Sequence, residues 1–197
     1  MHQETLMPEQ ITTSPNSTWA VFLIRSLLAL SLGAFVTFSA DHTSGYGSLI
    51  FGSWALAQGI LLVAEGVRSR STPGARLLVV QGLLGALIGV AALATSSSGL
   101  GTLLVEVTAF AATTAALEIY RSLRLERGIA VGRESLFVGI VTAILAIVFL
   151  LIPADGVLVV GLVGAYGIVI GIYLAIAAVS LRLPITRSGS SDRPGQG

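Results

Sequence analysis

Six long, mostly apolar runs constrain this chain more than any other feature. They are Trp19 to Ser39, Gly47 to Val67, Leu77 to Ala94, Leu100 to Tyr120, Leu136 to Ile152 and Val157 to Leu181. A helix needs about 20 such residues to cross a hydrocarbon core of roughly 30 Å, and in lipid only a helix or a closed barrel satisfies its own backbone groups. The runs therefore predict an all-α integral membrane protein with six transmembrane helices. Residues 19–181 form the membrane domain, 1–18 a polar tail and 182–197 a flexible tail. Composition agrees: 54% of the 197 residues are hydrophobic and 11% charged, which excludes a soluble globular domain, a disordered chain and a nucleic-acid binder.

All eleven basic residues are arginines, and their placement alternates. Connectors after the first, third and fifth runs carry none. Those after the second and fourth carry Arg68, Arg70, Arg76, then Arg121, Arg124, Arg127 and Arg133, and the C-terminal stretch adds Arg182, Arg187 and Arg193. The positive-inside rule then predicts that this side is cytoplasmic, with both termini on it, in a cell or inner membrane. The start, MHQETLMPEQITTSPNST, has no basic n-region and leads into an uncleaved first helix with Trp19 at the interface.

A shift of 56 residues aligns Trp54 with Phe110 and Tyr166, each followed by a small residue and, five positions on, by another: Gly59, Ala115 and Gly171. Looser matches join Arg25-Ser26, Gln81-Gly82 and Val138-Gly139. The expectation is three parallel-repeated helical hairpins, at about 19–67, 77–120 and 136–181, rather than an inverted-repeat transporter. Gly85 with Gly89, Gly167 with Gly171, and the small residues of Ala109 to Ala116 give faces for close helix approach. Such faces serve packing within one chain, a homo-oligomer, or a membrane-protein partner; the other surfaces face the lipid bilayer.

Few polar groups fall inside the runs, and each needs a partner or a purpose. Arg25, Glu65, Gln81 and Glu118 lie in the arginine-side half. Arg25 either snorkels along its own stem to water or forms an ion pair with Glu65 or Glu118 that pins different hairpins. Gln58 lies near the midplane. Glu106 sits in the outer half of the fourth run, where no arginine exists to neutralise it, and is the candidate proton-responsive group.

Catalytic patterns fail. His2 and His42 are the two histidines, and His42 beside Asp41 has neither a nucleophile nor a metal-ligand set. The chain has no cysteine. No GxSxG, HExxH or P-loop occurs, and Thr43-Ser44-Gly45-Tyr46-Gly47, similar to a potassium-filter sequence, lies in a short connector without a pore helix. No catalytic residue, cofactor or metal ligand is expected, and the chain reads as a non-enzyme.

Three hairpins in under 200 residues, an opening Leu23-Ile24-Arg25-Ser26-Leu27-Leu28, second helices like Gly164-Ala165-Tyr166-Gly167-Ile168-Val169-Ile170-Gly171-Ile172, and Ile152-Pro153 before a short turn resemble the HdeD acid-resistance membrane protein family. The likeness covers residues 19–181. Ala40 and Ser96 stand near the place of that proline in the first two hairpins, and the second hairpin lacks the glycines. The resemblance implies a non-enzymatic inner-membrane protein linked to acid-stress survival. Loss of negative charge on Asp41, Asp155 and Glu106, with a charge gained by His42, offers a physical route to such a response. The alternatives are a small transporter or channel, with Gln58, Gln81, Glu106 and Arg25 along a path, and an accessory subunit of a larger membrane complex.

Overall fold

The computed structural model describes residues 15–72, 74–126 and 130–182, and the six expected helices are all present. They are α1 (Pro15–Phe38), α2 (Ser44–Arg68), α3 (Ala75–Ala94), α4 (Leu100–Arg124), α5 (Ala130–Leu151) and α6 (Gly156–Arg182). All six are long and apolar enough to cross a membrane. The two expected tails, with His2, Arg187 and Arg193, lie outside the described residues except where α1 begins at Pro15 and α6 ends at Arg182; Arg127 lies outside them too.

Four of the helices run two or more residues past the predicted limits at the arginine-bearing end. The α4 helix continues from the expected Tyr120 to Arg124, and α5 starts at Ala130 instead of Leu136. An apolar run ends where side chains become polar, but backbone hydrogen bonding continues into the interface, so hydropathy marks the span and not the helix.

The opposite end is closed by short connectors with side-chain caps. Thr43 Oγ1 accepts from Tyr46 N at 3.3 Å to start α2, and Asp155 Oδ1 accepts from Leu158 N at 2.8 Å to start α6. Gly74 and Gly99 precede α3 and α4 with φ of 93° and 91°, a region that costs a residue with a Cβ but not glycine.

The tightest helix pairs are α2 with α3, α1 with α6, and α4 with α5. These are not the outer-connected hairpins read from the sequence. The reason is glycine placement: small residues on α2 face those on α3, and those on α1 face α6, so backbones touch there. A Cβ on Gly59 would lie 2.5 Å from Gly82 O, and one on Gly89 would lie 2.8 Å from Gly52 O. Across α1 and α6, a Cβ on Gly167 would lie 2.7 Å from Ala29 O, and the Ser26 hydroxyl donates to Gly171 O at 2.8 Å. The small faces thus pack within the chain, where close approach yields dispersion and weak polar contacts without a hydrophobic drive.

Arg182 of α6 lies 4.9 Å over the ring of Trp19 of α1. The first and last helices therefore bring the described chain ends to the same end of the bundle, beside the other arginines. Large apolar side chains such as Leu27, Phe35, Leu87, Val105, Ile144, Leu150 and Ile176 cover the outside, as a surface in contact with lipid requires.

Candidate functional site

A small cavity of about 20 Å³ lies where all six helices converge. Its size is that of a single water molecule. Arg25 and Ala29 come from α1, Gln58 and Trp54 from α2, Gln81 from α3, Thr114 and Phe110 from α4, Val138 from α5, and Tyr166 from α6. Several occupy positions 56 apart: Trp54, Phe110 and Tyr166; Gln58, Thr114 and Ile170; Arg25 and Gln81. The three aromatics meet edge to face. Trp54 is 5.2 Å from Phe110 and 6.2 Å from Tyr166 between ring centroids, a geometry that puts positive ring edges against negative faces.

Toward the arginine-bearing end, the cavity gives way to a buried polar cluster. Arg25 Nη2 is 3.2 Å from Glu118 Oε1, the two side chains being 8% and 1% exposed. Gln81 Nε2 donates to the same oxygen at 3.1 Å. With its amide oxygen turned toward Arg25, Gln58 accepts from Nε at 2.9 Å and from Nη2 at 3.3 Å. Four helices thus contribute one side chain each.

This arrangement decides between the two readings of Arg25. The guanidinium does not snorkel: it is buried and turned inward, because an acceptor pair on α2 and α4 lies within reach. Its ion-pair partner is Glu118. Glu65, the other candidate, is not paired with it, and Glu65 Oε2 is buried without a hydrogen-bond partner. Glu118 Oε2 and Trp54 Nε1 are likewise buried without one. The pair and the two amides bonded to it tie α1, α2, α3 and α4 together.

A second cluster, at the end of α4 beyond its apolar run, ties α4 to α5. Arg121 is buried, and its Nη2 donates to Ser135 Oγ at 2.6 Å while its Nε lies 3.2 Å from Glu126 Oε1. Ser122 Oγ donates to Gly132 O at 2.6 Å. The apolar run ends at Tyr120, so hydropathy places Arg121 in a connector; Glu126 and Ser135 come within its reach because α4 continues to Arg124 and α5 begins at Ala130.

At the opposite end, three carboxylates each hold a helix end. Asp41 Oδ1 accepts from Thr43 N at 2.8 Å, and these bonds to Thr43 hold its carboxyl below the usual aspartate range. Asp155 caps α6 as described. Glu106, buried on α4, accepts from the hydroxyl of Thr95 at the end of α3 at 2.6 Å, and its Oε2 is without a partner. The Thr95 hydroxyl also faces Ala91 O at 2.8 Å. It has one hydrogen for two acceptors.

Among the described residues no group of three or more His, Cys, Asp or Glu is placed to hold a metal ion. No family model matches the chain, and no curated protein or solved structure is significantly similar to it.

Proposed function

We propose that this chain is a non-enzymatic inner-membrane protein of the HdeD type that contributes to acid-stress resistance, with its arginine-bearing end and both termini in the cytoplasm. The observation that carries the reading is the contrast between its two ends. Arginines crowd one end, whereas at the other Asp41, Glu106 and Asp155 each accept a hydrogen bond that fixes a connector or helix end.

Acidification of the outer side acts on these three bonds in two senses. Protonating Asp41 or Asp155 removes a charged acceptor and loosens the starts of α2 and α6. Protonating Glu106 resolves the competition at Thr95, since the acid proton then goes to Thr95 Oγ1 and the Thr95 hydrogen goes to Ala91 O. The outer ends of the helices are thereby rearranged while the Arg25–Glu118 cluster, deeper in the bundle, holds the helices together. Residues at the 56-residue spacing on one central cavity support a threefold repeat about an axis along the bundle.

A deletion strain scored for survival in acid, complemented with the natural chain and with Glu106→Gln, tests the proposal. Survival equal to the parent strain removes it. The transporter reading is favoured by one observation, the convergence of Arg25, Gln58, Gln81 and Glu118 from four helices. Proton or ion flux through vesicles holding the purified chain distinguishes it.

A further inference from the structure

At the arginine-bearing end, a groove of about 410 Å³ opens between α2 and α3, lined by Gly66, Val67, Ala75 and Val79 with Arg70 and Arg76. We infer that this groove is a binding site for the phosphate headgroup of an anionic phospholipid. Three observations converge on it. Both guanidiniums are exposed, and neither Arg70 nor Arg76 has a carboxylate within 4.0 Å among the described residues. Beside the arginines α2 and α3 close directly on each other, since a Cβ on Gly66 would lie 2.8 Å from Ala75 O and 2.7 Å from the Val79 side chain.

The α3 helix also begins at this place, after Gly74, with no side-chain cap. Apart from Ala75 N, which donates to Thr72 O at 3.3 Å, its first-turn N–H groups add partial positive charge beside the two arginines. Finally, the groove's apolar wall continues onto lipid-facing surface through Val67 and Val80, 43% and 44% exposed. A free phosphate needs only the cationic part. A diacyl phosphate uses both the cations and the apolar wall, which is why a lipid is the ligand assigned; basic pockets between helices at a membrane interface suit such headgroups.

The purified full-length chain in phosphatidylcholine nanodiscs, with and without added phosphatidylglycerol, tests this through bound lipid by native mass spectrometry and through the thermal unfolding midpoint. Phosphatidylglycerol is expected to be retained and to raise the midpoint. Arg70→Gln with Arg76→Gln is expected to weaken retention on the order of tenfold, while Arg124→Gln with Arg133→Gln leaves it within about twofold. Unchanged midpoints in phosphatidylcholine alone establish that the variants are folded, and each single substitution repeats the measurement if the double variant is not. Equal retention by the Arg70/Arg76 variant, or equal loss by the Arg124/Arg133 variant, overturns the site. Displacement of the lipid by millimolar inorganic phosphate overturns its assignment to a lipid.

Discussion

Arg25 and Glu118 are 93 positions apart and meet at 3.2 Å inside the bundle, so one ion pair joins the first helix to the fourth. Removing one partner of a buried pair leaves a charge without compensation, at a cost of roughly 3–5 kcal/mol. Arg25→Ala and Glu118→Ala are each expected to destabilise by about that amount. The double variant is expected to lose less than the sum. Unfolding of the four proteins from mild detergent into a denaturing one measures the coupling, and additive losses sink it.

Glycines within the helices separate into those that touch backbone, such as Gly59 of α2, and those that do not, such as Gly101 of α4 and Gly161 of α6. A Cβ on Gly59 meets Ala86 N and Gly82 O at 2.5 Å, whereas nothing lies within 4 Å of one on Gly161 or Gly101. Gly59→Val is expected to push α2 from α3 and cost about 1–3 kcal/mol or more. Gly161→Ala and Gly101→Ala are expected to unfold like the natural chain or slightly later. A Gly59→Val protein as stable as those two removes the close-approach account.

The number of helices and the polar residues of the central cluster were legible in the sequence, because a membrane makes length and the rarity of charge informative. Arg25, Gln58, Gln81 and Glu118 were all singled out. Which of them touch was not legible. The choice between Glu65 and Glu118 depends on helix rotation, and both lie three residues before an arginine. Which helices approach most closely was not legible for a related reason: Gly59 against Gly82 and Gly167 against Ala29 draw together helices joined on the arginine-bearing side or not consecutive at all, and that depends on which face each glycine turns to its neighbour. Trp54, Phe110 and Tyr166 were read as marks of a repeat, and their meeting around one cavity is a tertiary fact that spacing alone does not contain.

Thr142 and Tyr166 share a hydrogen bond whose direction can be assigned. The Thr142 hydroxyl gives its hydrogen to Val138 O at 2.7 Å, so at 2.9 Å the Tyr166 hydroxyl is the donor to Thr142. Thr142→Val leaves a buried phenol without an acceptor and is expected to cost about 1–3 kcal/mol. Tyr166→Phe removes the donor while Thr142 keeps its own bond, so the cost is expected to be nearer 1 kcal/mol. Equal losses for the two variants contradict the assigned direction.

Asp41 outside the helices carries a pH dependence whose sign follows from its bonds. The backbone and side chain of Thr43 favour the ionised carboxyl and hold its pKa under the ordinary 3.8. Its contribution to the α1–α2 connector is therefore full above 3.8, and is lost as the pH falls through the lower folded value. Proton exchange at the Thr43 amide, followed with pH, is expected to stay protected to below 3.8 and then to rise. Asp41→Ala is expected to expose that amide at every pH, and a natural chain whose Thr43 amide opens well above 3.8 contradicts the bond.

On the proposed function, the contact of Glu106 with Thr95 at the α3–α4 end is where a proton acts. In the ionised state one hydroxyl hydrogen serves either Glu106 or Ala91 O; a proton on Glu106 allows both bonds, and the same holds for the amide of Glu106→Gln. Because the chain has no cysteine, Ser97→Cys places one spin label on the exposed connector beside this contact. Label mobility is expected to fall on acidification in the natural background and to remain low at every pH with Glu106→Gln. Thr95→Val removes the shared hydroxyl, and there the mobility is expected to be high and indifferent to pH. A pH response that survives Glu106→Gln assigns the change to another group and ends the proton-responsive role of Glu106.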